Sequence, residues 1–351
     1  MMHIHPSRYL GSGVRCLLTF WAAGLSLLAL ASESVAGHEA ASCSTIELCL
    51  QRMVQAPERT NFEGTFVVDG VSRGTSSRIV HYGDGRGQLE RIERLDGPER
   101  IVYRHDDELV VWLPAERMLS IESRRFIRPF PFVGHQGADH VADHYRLVLQ
   151  GLSRIAQRPA DVVSLVPKDA FRYGYRLWLD RATGLPLRAE IIGPQQQVLE
   201  WAAFSSITMG VKPDPQRVLQ GMKPLDGWRV LQPALSSADL SAEGWVLRGV
   251  PPGFDLIRTV KRPCPPDGGR AEQPATESTG PMLQLIFSDG LTHVSLFVEP
   301  FEAHARRHNM LVSMGATQTA MVRRDAWWLT AMGDVPVNSL KAFLSALQRR
   351  D

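Results

Sequence analysis

Tyr175-Arg176-Leu177-Trp178-Leu179-Asp180 and Leu187-Arg188-Ala189-Glu190-Ile191 are the stretches that decide the fold of this chain. In both, apolar and polar side chains alternate, which is the pattern of a β-strand with one buried face and one wet face. The residues from Asp180 to Gly184 form a turn signal between them. The two stretches are therefore predicted to pair as antiparallel neighbours.

The period of two continues on both sides of this pair. Short β-like runs separated by Gly, Asp and Pro are predicted at 62–69, 77–82, 88–95, 100–105, 109–113, 118–123, 145–150, 161–166, 175–180, 185–192 and 198–208. Closely spaced strands joined by tight turns indicate an antiparallel meander. A twisted sheet of about eleven strands tends to curl. We therefore expect a large, curled antiparallel sheet.

An amphipathic helix precedes the strands. Ser44-Thr45-Ile46-Glu47 has the pattern of a capping box with Ser44 as the N-cap, and Pro57 is expected to end the helix. A set of apolar side chains shares one helical face and is predicted to fill the concave side of the sheet: Ile46, Leu50, Met53 and Val54. Cys43, just outside the helix, and Cys49, inside it, form a possible disulfide.

A second pattern follows a segment rich in Pro and Gly. The predicted organisation is a first domain at 37–211, a linker at 212–233 and a smaller α+β domain at 234–351. Strands of the second domain are predicted at 244–250, 254–261, 283–287, 292–298, 317–323 and 327–332. A last helix begins at Pro336 and presents Leu340, Phe343, Leu344 and Leu347 on one face, while Cys264–Pro281 reads as a surface loop.

Residues 1–36 have the features of a secretory signal peptide. Arg8 and Arg15 precede an apolar run, Leu17–Ala31, and Ser34-Val35-Ala36 supplies small residues for cleavage. The run is shorter than the roughly 20 residues that a membrane-spanning helix needs. We expect an exported, soluble mature chain, with an uncleaved N-terminal anchor as the alternative.

The net charge and the cysteine content exclude two classes of protein. Removing residues 1–36 leaves 37 basic and 36 acidic residues, a net charge of +1. This balance argues against nucleic-acid binding, which normally accompanies a basic excess. Three Cys remain after cleavage, so the chain is no disulfide scaffold.

The sequence presents no clear catalytic or metal-binding constellation. His140 and His144, and likewise His304 and His308, have helical spacing but lack a clear third ligand. Gly83-x-Gly85-x-Gly87 joins two predicted strands and is interpreted as a hairpin rather than a phosphate loop. We expect no cofactor and no enzymatic activity, and a hydrolase is the weakest of the hypotheses.

Two aromatic features remain open to interpretation. Arginines and an aromatic ring cluster in a segment interrupted by prolines and suit a lipid with an anionic head group: Arg124, Arg125, Phe126 and Arg128. The alternative is a solvated loop with its aromatic rings in the core. Of Trp327 and Trp328, adjacent in a strand, one is expected to face outward as an interface anchor, although core packing explains both equally well.

Several motifs, in a fixed order along the chain, resemble the MucB/RseB family of periplasmic sigma-E regulators. They are Asn61–Val67, Phe171–Asp180, Thr183–Arg188, Pro251–Phe254, Phe287–Gly290 and Val294–Glu299. The resemblance covers nearly the whole mature chain. The Cys43/Cys49 pair and a lengthened Cys264–Pro281 loop depart from the family pattern.

The resemblance implies a fold and a function. The fold is an unclosed β-barrel similar to the lipoprotein carriers LolA and LolB, followed by a smaller α+β domain. The function is a negative regulator that binds the periplasmic part of a membrane-spanning, RseA/MucA-like anti-sigma factor and shields it from the site-1 protease. Lipopolysaccharide or another lipid would release it. The alternative is a periplasmic carrier of lipid or lipoprotein.

Two sets of residues are expected to carry this function. A lipid cavity is predicted between the first helix and the strands, lined by Ile46, Leu50, Met53, Phe66, Val68, Leu177 and Leu179, with Arg124, Arg125, Phe126 and Arg128 nearby. The anti-sigma factor is predicted to contact Pro251, Pro252, Phe254, Ser288, Asp289 and Trp328. A cleft shared between the domains would couple the two ligands, and a homo-oligomer stays open.

Overall fold

The structural description of the chain begins at Thr45 and includes most of the sequence beyond it. The computed structural model describes residues 45–70, 74–83, 85, 87–106, 108–123, 141–232, 234–263, 281–301 and 308–350. The proposed signal peptide, Cys43, the cluster from Arg124 to Arg128 and the Cys264–Pro281 loop except its last residue lie outside these ranges. The side chain of Ile46 is also not described.

The first helix, α1, spans Ile46–Arg59. Its N-cap is Thr45, whose hydroxyl accepts the N–H of Leu48 at 3.3 Å, so the cap lies one residue later than predicted. The helix also continues past Pro57, where the sequence predicted its end. A proline in the last turn removes a single backbone hydrogen bond, so two further residues keep helical geometry.

Eleven strands follow α1 and match the eleven predicted runs, with ends that differ by a few residues. They are β1 Phe62–Asp69, β2 Thr75–Gly83, β3 Gln88–Arg94, β4 Ile101–His105, β5 Glu108–Leu113, β6 Met118–Ser123, β7 Tyr145–Ile155, β8 Arg158–Pro167, β9 Gly174–Asp180, β10 Pro186–Ile192 and β11 Val198–Met209. A 3-10 turn, Pro114–Glu116, precedes β6, and a short helix, α2, Val141–His144, precedes β7.

These strands form one open sheet with a twelfth strand, β12, Arg229–Leu231. The order is β12-β6-β5-β4-β3-β2-β1-β11-β10-β9-β8-β7, so β12 and β7 are its two edges. All neighbours are antiparallel except β12, which runs parallel to β6. The expectation of a large, unclosed antiparallel sheet is thus confirmed.

The sheet curls around α1. Residues of β7 and β11 approach within 8 Å at their Cα atoms, although four strand spacings separate these strands. That separation is about 19 Å in a flat sheet, so this close approach requires curvature. Leu50 and Met53 of α1 pack against the inward side chains of β7 to β10, including Leu177.

The predicted linker, 212–233, is largely folded onto the first domain. It contains a helix, α3, Pro215–Gly221, capped by Asp214, and it contains β12. Val218 is buried on the face of the sheet opposite α1, and the ring of Trp228 lies 4.6 Å from that of Trp112. This segment therefore extends the first domain instead of hanging free between two domains.

The second domain is a seven-stranded sheet with one covering helix. Its strands are β13 Ser236–Ser237, β15 Asp255–Pro263, β16 Pro281–Ser288, β17 His293–Pro300, β18 Met310–Met314, β19 Thr317–Arg324 and β20 Trp327–Gly333, in the order β13-β15-β16-β17-β20-β19-β18. The helix, α4, spans Val337–Ala346. Phe343 of α4 packs between Phe254 and Phe287, at centroid distances of 5.2 and 4.9 Å.

A small ribbon completes the second domain. β14, Trp245–Leu247, pairs with β21, Leu347–Arg349. Leu347 was predicted to belong to the last helix, but it is the first residue of β21. Its backbone pairs with β14, and a further helical turn would give up this pairing. None of the helices in the described ranges has the length and apolar character needed to cross a bilayer.

Candidate functional site at the domain junction

The two domains meet at a buried arginine, Arg172, between β8 and β9. Its Nε donates to Oδ2 of Asp289 at 3.0 Å, and its Nη2 donates to the Pro252 carbonyl at 2.6 Å. Its Nη1 pairs with Asp169 of its own loop. The side chain of Arg172 is fully shielded from solvent. A charge carried by the first domain is thus neutralised and hydrogen-bonded by two segments of the second domain.

Asp289, the partner of Arg172, lies in the turn between β16 and β17. Its Oδ1 accepts the N–H groups of Leu291 and Thr292 at 3.0 and 2.9 Å. Its Oδ2 accepts from Arg172 and also from the Tyr145 hydroxyl, at 3.1 Å. Both oxygens of this buried carboxylate are therefore satisfied, which is the condition under which a buried ion pair is tolerated.

Aromatic and steric contacts complete the junction. The guanidinium of Arg172 lies 4.9 Å from the ring centroid of Phe254 and 5.8 Å from that of Tyr145. Gly253 has φ +76°, and a Cβ there would fall on the imidazole of His144. The Pro252–Phe254 turn approaches the first domain this closely only because glycine fills the middle position.

Two buried tyrosines at the junction, Tyr145 and Tyr175, have raised pKa values. Burial raises the pKa of Tyr145 well above its usual value, and the negative charge of Asp289 raises the pKa further. The pKa of Tyr175 is raised well above its usual value by the same two causes, in the same order. Both phenols therefore stay protonated at physiological pH, and the Tyr145 hydroxyl donates a hydrogen bond to Asp289.

Two further carboxyl groups, Glu200 on β11 and Asp334 after β20, interact electrostatically at the junction. Burial, and then the charge of Asp334, raise the pKa of Glu200, while an N–H from Ala316 lowers it. Burial raises the pKa of Asp334, and a hydrogen bond of 2.5 Å from the Thr317 hydroxyl opposes this rise.

Apolar side chains of the second domain also enter the first domain. Leu291 and Ala316 are buried in the cluster formed by α1 and the strands β7 to β10. In return, Phe171 packs on the core of the second domain and its carbonyl accepts the Ser339 hydroxyl at 2.6 Å. The interface is therefore both apolar and ionic.

Most of the predicted partner-binding residues lie at or next to this junction. Phe254, Ser288 and Asp289 are buried there, Pro251 is buried beside them, and the exposed Pro252 supplies its carbonyl to Arg172. Trp328 does not join them. It is only 3% exposed, with its ring 5.9 Å from that of Phe301, so it lacks the exposed ring that an interface anchor needs.

The predicted lipid-binding residues fall into three groups. Leu50, Met53, Leu177 and Leu179 lie together in one buried cluster, where helix and sheet are in direct contact. Phe66 and Val68 belong to a neighbouring cluster. The third group lies outside the described part of the chain. It consists of the Ile46 side chain and of the whole residues Arg124, Arg125, Phe126 and Arg128. Lipid binding by these residues stays a prediction.

The other sequence features have structural explanations. His144 packs on Gly253, while His140 and His304 lie outside the described residues. Within the described ranges, no three His, Cys, Asp or Glu side chains form a potential metal site. Gly83 and Gly85 belong to the β2–β3 hairpin, as predicted, and the N–H of Gly85 donates to the Glu58 carbonyl at 2.8 Å. Cys49 is fully buried, and its pairing with Cys43 stays a prediction.

Sequence reasoning missed four residues of the first domain that form the junction: Tyr145, Arg172, Tyr175 and Glu200. It also missed Asp334, which the second domain contributes. One signal was present. Phe171-Arg172-Tyr173 places a charge among aromatic residues immediately before a buried strand, a setting in which arginine requires a specific partner.

A curled open sheet joined through a buried ionic contact to a smaller α+β domain describes a two-domain binding protein. The chain belongs to the MucB/RseB family: the model of the MucB/RseB N-terminal domain matches residues 45–222, and that of the MucB/RseB C-terminal domain matches residues 239–348. The family contains sigma factor regulatory proteins.

Characterised relatives extend the match over both domains. The chain is 29% identical to the sigma factor AlgU regulatory protein MucB of Pseudomonas aeruginosa over 299 residues, covering 83% of this chain and 86% of MucB. It is 26% identical to the sigma-E factor regulatory protein RseB of Salmonella typhimurium over 304 residues, 86% of this chain and 90% of RseB. A crystal structure of MucB in complex with MucA(peri) superposes with a TM-score of 0.64 and 25% identity, over 86% of this chain and 98% of MucB.

Proposed function

We propose that this chain is a periplasmic negative regulator of a sigma-E-type envelope stress response. It binds the periplasmic domain of a membrane-spanning, RseA/MucA-like anti-sigma factor and shields that factor from the site-1 protease. The observation that carries this proposal is the similarity of the chain, through both domains, to MucB, which has been crystallised with MucA(peri). The predicted export signal agrees with a periplasmic location.

The switch in this proposal is the domain junction. A ligand regulates the grip on the anti-sigma factor only if it prefers one arrangement of the domains. Lipopolysaccharide or another lipid, bound by the first domain, would favour the arrangement that holds the anti-sigma factor poorly. A hundredfold weakening requires about 2.7 kcal/mol of coupling. The junction can supply coupling of this size because its buried ionic groups lose partners when the domains separate.

Calorimetric titration with the anti-sigma periplasmic domain tests the proposal. We expect binding, and we expect lipopolysaccharide to weaken it by the same factor as the anti-sigma domain weakens lipopolysaccharide binding. Bound chain should also slow cleavage of the anti-sigma factor by the site-1 protease. Absence of anti-sigma binding contradicts the proposal. Lipid binding without anti-sigma binding would instead support a lipid or lipoprotein carrier.

A pair of matched variants tests the role of the junction. Tyr145→Phe removes the hydroxyl that donates to Asp289, whereas Tyr103→Phe removes a hydroxyl that accepts from Arg91, at 3.4 Å, far along the sheet. One hydrogen bond is worth about 0.5–1.5 kcal/mol. Tyr145→Phe should therefore change the coupling between lipid and anti-sigma factor by about two- to tenfold. Equal coupling in both variants would separate the switch from the junction.

A further inference from the structure

The methionines of this chain divide sharply by exposure. Two of the 11 methionines, Met1 and Met2, lie in the proposed signal peptide, and the others lie within the described ranges. Most of these others are buried or half-buried, namely Met53, Met118, Met209, Met222, Met282 and Met321. The rest are exposed: Met310 by 45%, Met314 by 58% and Met332 by 41%.

The exposed methionines share one face of the second sheet. Met310 on β18 pairs with Met321 on β19, and Met332 on β20 pairs with Thr319 on β19. Paired residues, and residues two apart on one strand, point to the same side of a sheet, so Met314 joins this set. The other side of β19 and β20 packs in the cluster that contains α4. The exposed methionines therefore lie on the side that α4 does not cover.

Hydroxyl groups lie beside Met332 on this face. Met332 is paired with Ser295 of β17 on one side and with Thr319 of β19 on the other. Side chains paired in this way have Cβ atoms about 4.5–5.5 Å apart, so their ends can reach each other. A thioether sulfur accepts hydrogen bonds only weakly, whereas a sulfoxide is polar and accepts them well. The two hydroxyls are therefore placed to stabilise an oxidised form of Met332.

We propose that Met310, Met314 and Met332 form a reversible oxidation site for peroxides. The thioether sulfur attacks one oxygen of hydrogen peroxide, so an S–O bond forms and the O–O bond breaks. The sulfur loses two electrons, the peroxide gains them, and the second oxygen leaves as water. A methionine sulfoxide reductase reverses the change with two electrons and two protons, which returns the thioether and releases another water molecule.

The placement of the exposed sulfurs makes their oxidation compatible with the fold. Met53 and Met118 are each only 1% exposed, and a sulfoxide there would bury a polar group in an apolar core, which is destabilising. On the uncovered face of the second sheet, a sulfoxide meets water instead, and the backbone pairing of the strands is untouched. Oxidation therefore changes this face from apolar to polar without unfolding the chain.

Peptide mapping by mass spectrometry tests the proposal. The mature chain, residues 37–351, is treated with hydrogen peroxide and quenched at intervals. Met310, Met314 and Met332 should each gain one oxygen at least about tenfold faster than Met53 and Met118, because a buried sulfur reacts only when the core opens. Methionine sulfoxide reductases for both sulfoxide epimers should then remove these oxygens. The circular dichroism spectrum should stay the same throughout.

Leucine variants locate the site independently. A triple variant, Met310→Leu, Met314→Leu and Met332→Leu, keeps the apolar volume and should take up three oxygens fewer than the wild type. Met282→Leu, at a buried methionine, should leave the early uptake unchanged. Retention on a hydrophobic-interaction column should fall on oxidation of the wild type and stay constant for the triple variant. Equal oxidation rates at buried and exposed methionines overturn the proposal, and so does unfolding on oxidation or a sulfoxide that the reductases cannot remove. None of these outcomes depends on the anti-sigma factor.

Discussion

Replacing Arg172 with alanine tests whether the buried ion pair couples the two domains. The substitution removes the bonds to Asp289 and to the Pro252 carbonyl and leaves Asp289 buried. Breaking a buried pair from one side typically costs about 3–5 kcal/mol. Asp289 keeps three donors, from Tyr145, Leu291 and Thr292, so the loss should fall near the lower end, about 3 kcal/mol.

Urea unfolding measures this loss. Tryptophan fluorescence reports on both domains, and the wild-type chain should unfold in one transition if the junction couples them. In Arg172→Ala we expect a lower midpoint and two separable transitions. Arg154→Ala removes an exposed arginine on β7 and should cost less than about 0.5 kcal/mol. A loss below about 1 kcal/mol in Arg172→Ala, with one transition retained, would refute the reasoning.

Two further predictions concern the same junction. Gly253→Ala should destabilise the chain by clearly more than Gly249→Ala, which we expect to cost about 1 kcal/mol. Both glycines have positive φ, but only Gly253 lies against His144. Equal losses of stability in thermal unfolding would show that His144 moves aside at little cost. Glu200→Gln should flatten the dependence of stability on pH. The raised pKa values of Glu200 and Asp334 mean that their contribution to stability is fully present at acidic pH and is lost as the pH rises through those values. Unfolding free energies measured from about pH 4, near the ordinary carboxyl pKa values, to about pH 8 should therefore fall less in the variant than in the wild type.

The elements with strong local patterns could be predicted from the sequence. The first helix and all eleven strands from β1 to β11 were predicted, because their periods and turn residues act over a few positions. Two of the missed elements depend on distant partners. β12 is three residues long and exists through its pairing with β6, and β21 replaces the end of a predicted helix because β14 lies beside it.

The candidate site was only half predictable for the same reason. Phe254 and Asp289 were selected from a proline-rich turn and a hairpin, both of which are local signals. Arg172 and Asp289 are 117 residues apart, and no spacing in one sequence reveals that they meet. Phe254 was predicted to contact the anti-sigma factor, but it is buried, with its ring packed against Phe343 and covered by the guanidinium of Arg172.

The point where the chain leaves the first sheet gives the second domain a mechanical role. β12 forms one edge of that sheet, and β13 of the second domain begins five residues after β12 ends. Five residues reach at most about 18 Å, so the second domain is tethered close to this edge. Its other attachment, through Arg172 and Glu200, lies on the opposite half of the sheet, among β7 to β11.

A domain held at both ends of a curved sheet acts as a brace. Widening of the curl must either stretch the covalent connection or separate the junction, and the junction is the weaker of the two. A ligand that bound between α1 and the sheet and widened the curl would therefore weaken the contacts of Arg172, at a distance from its own binding site.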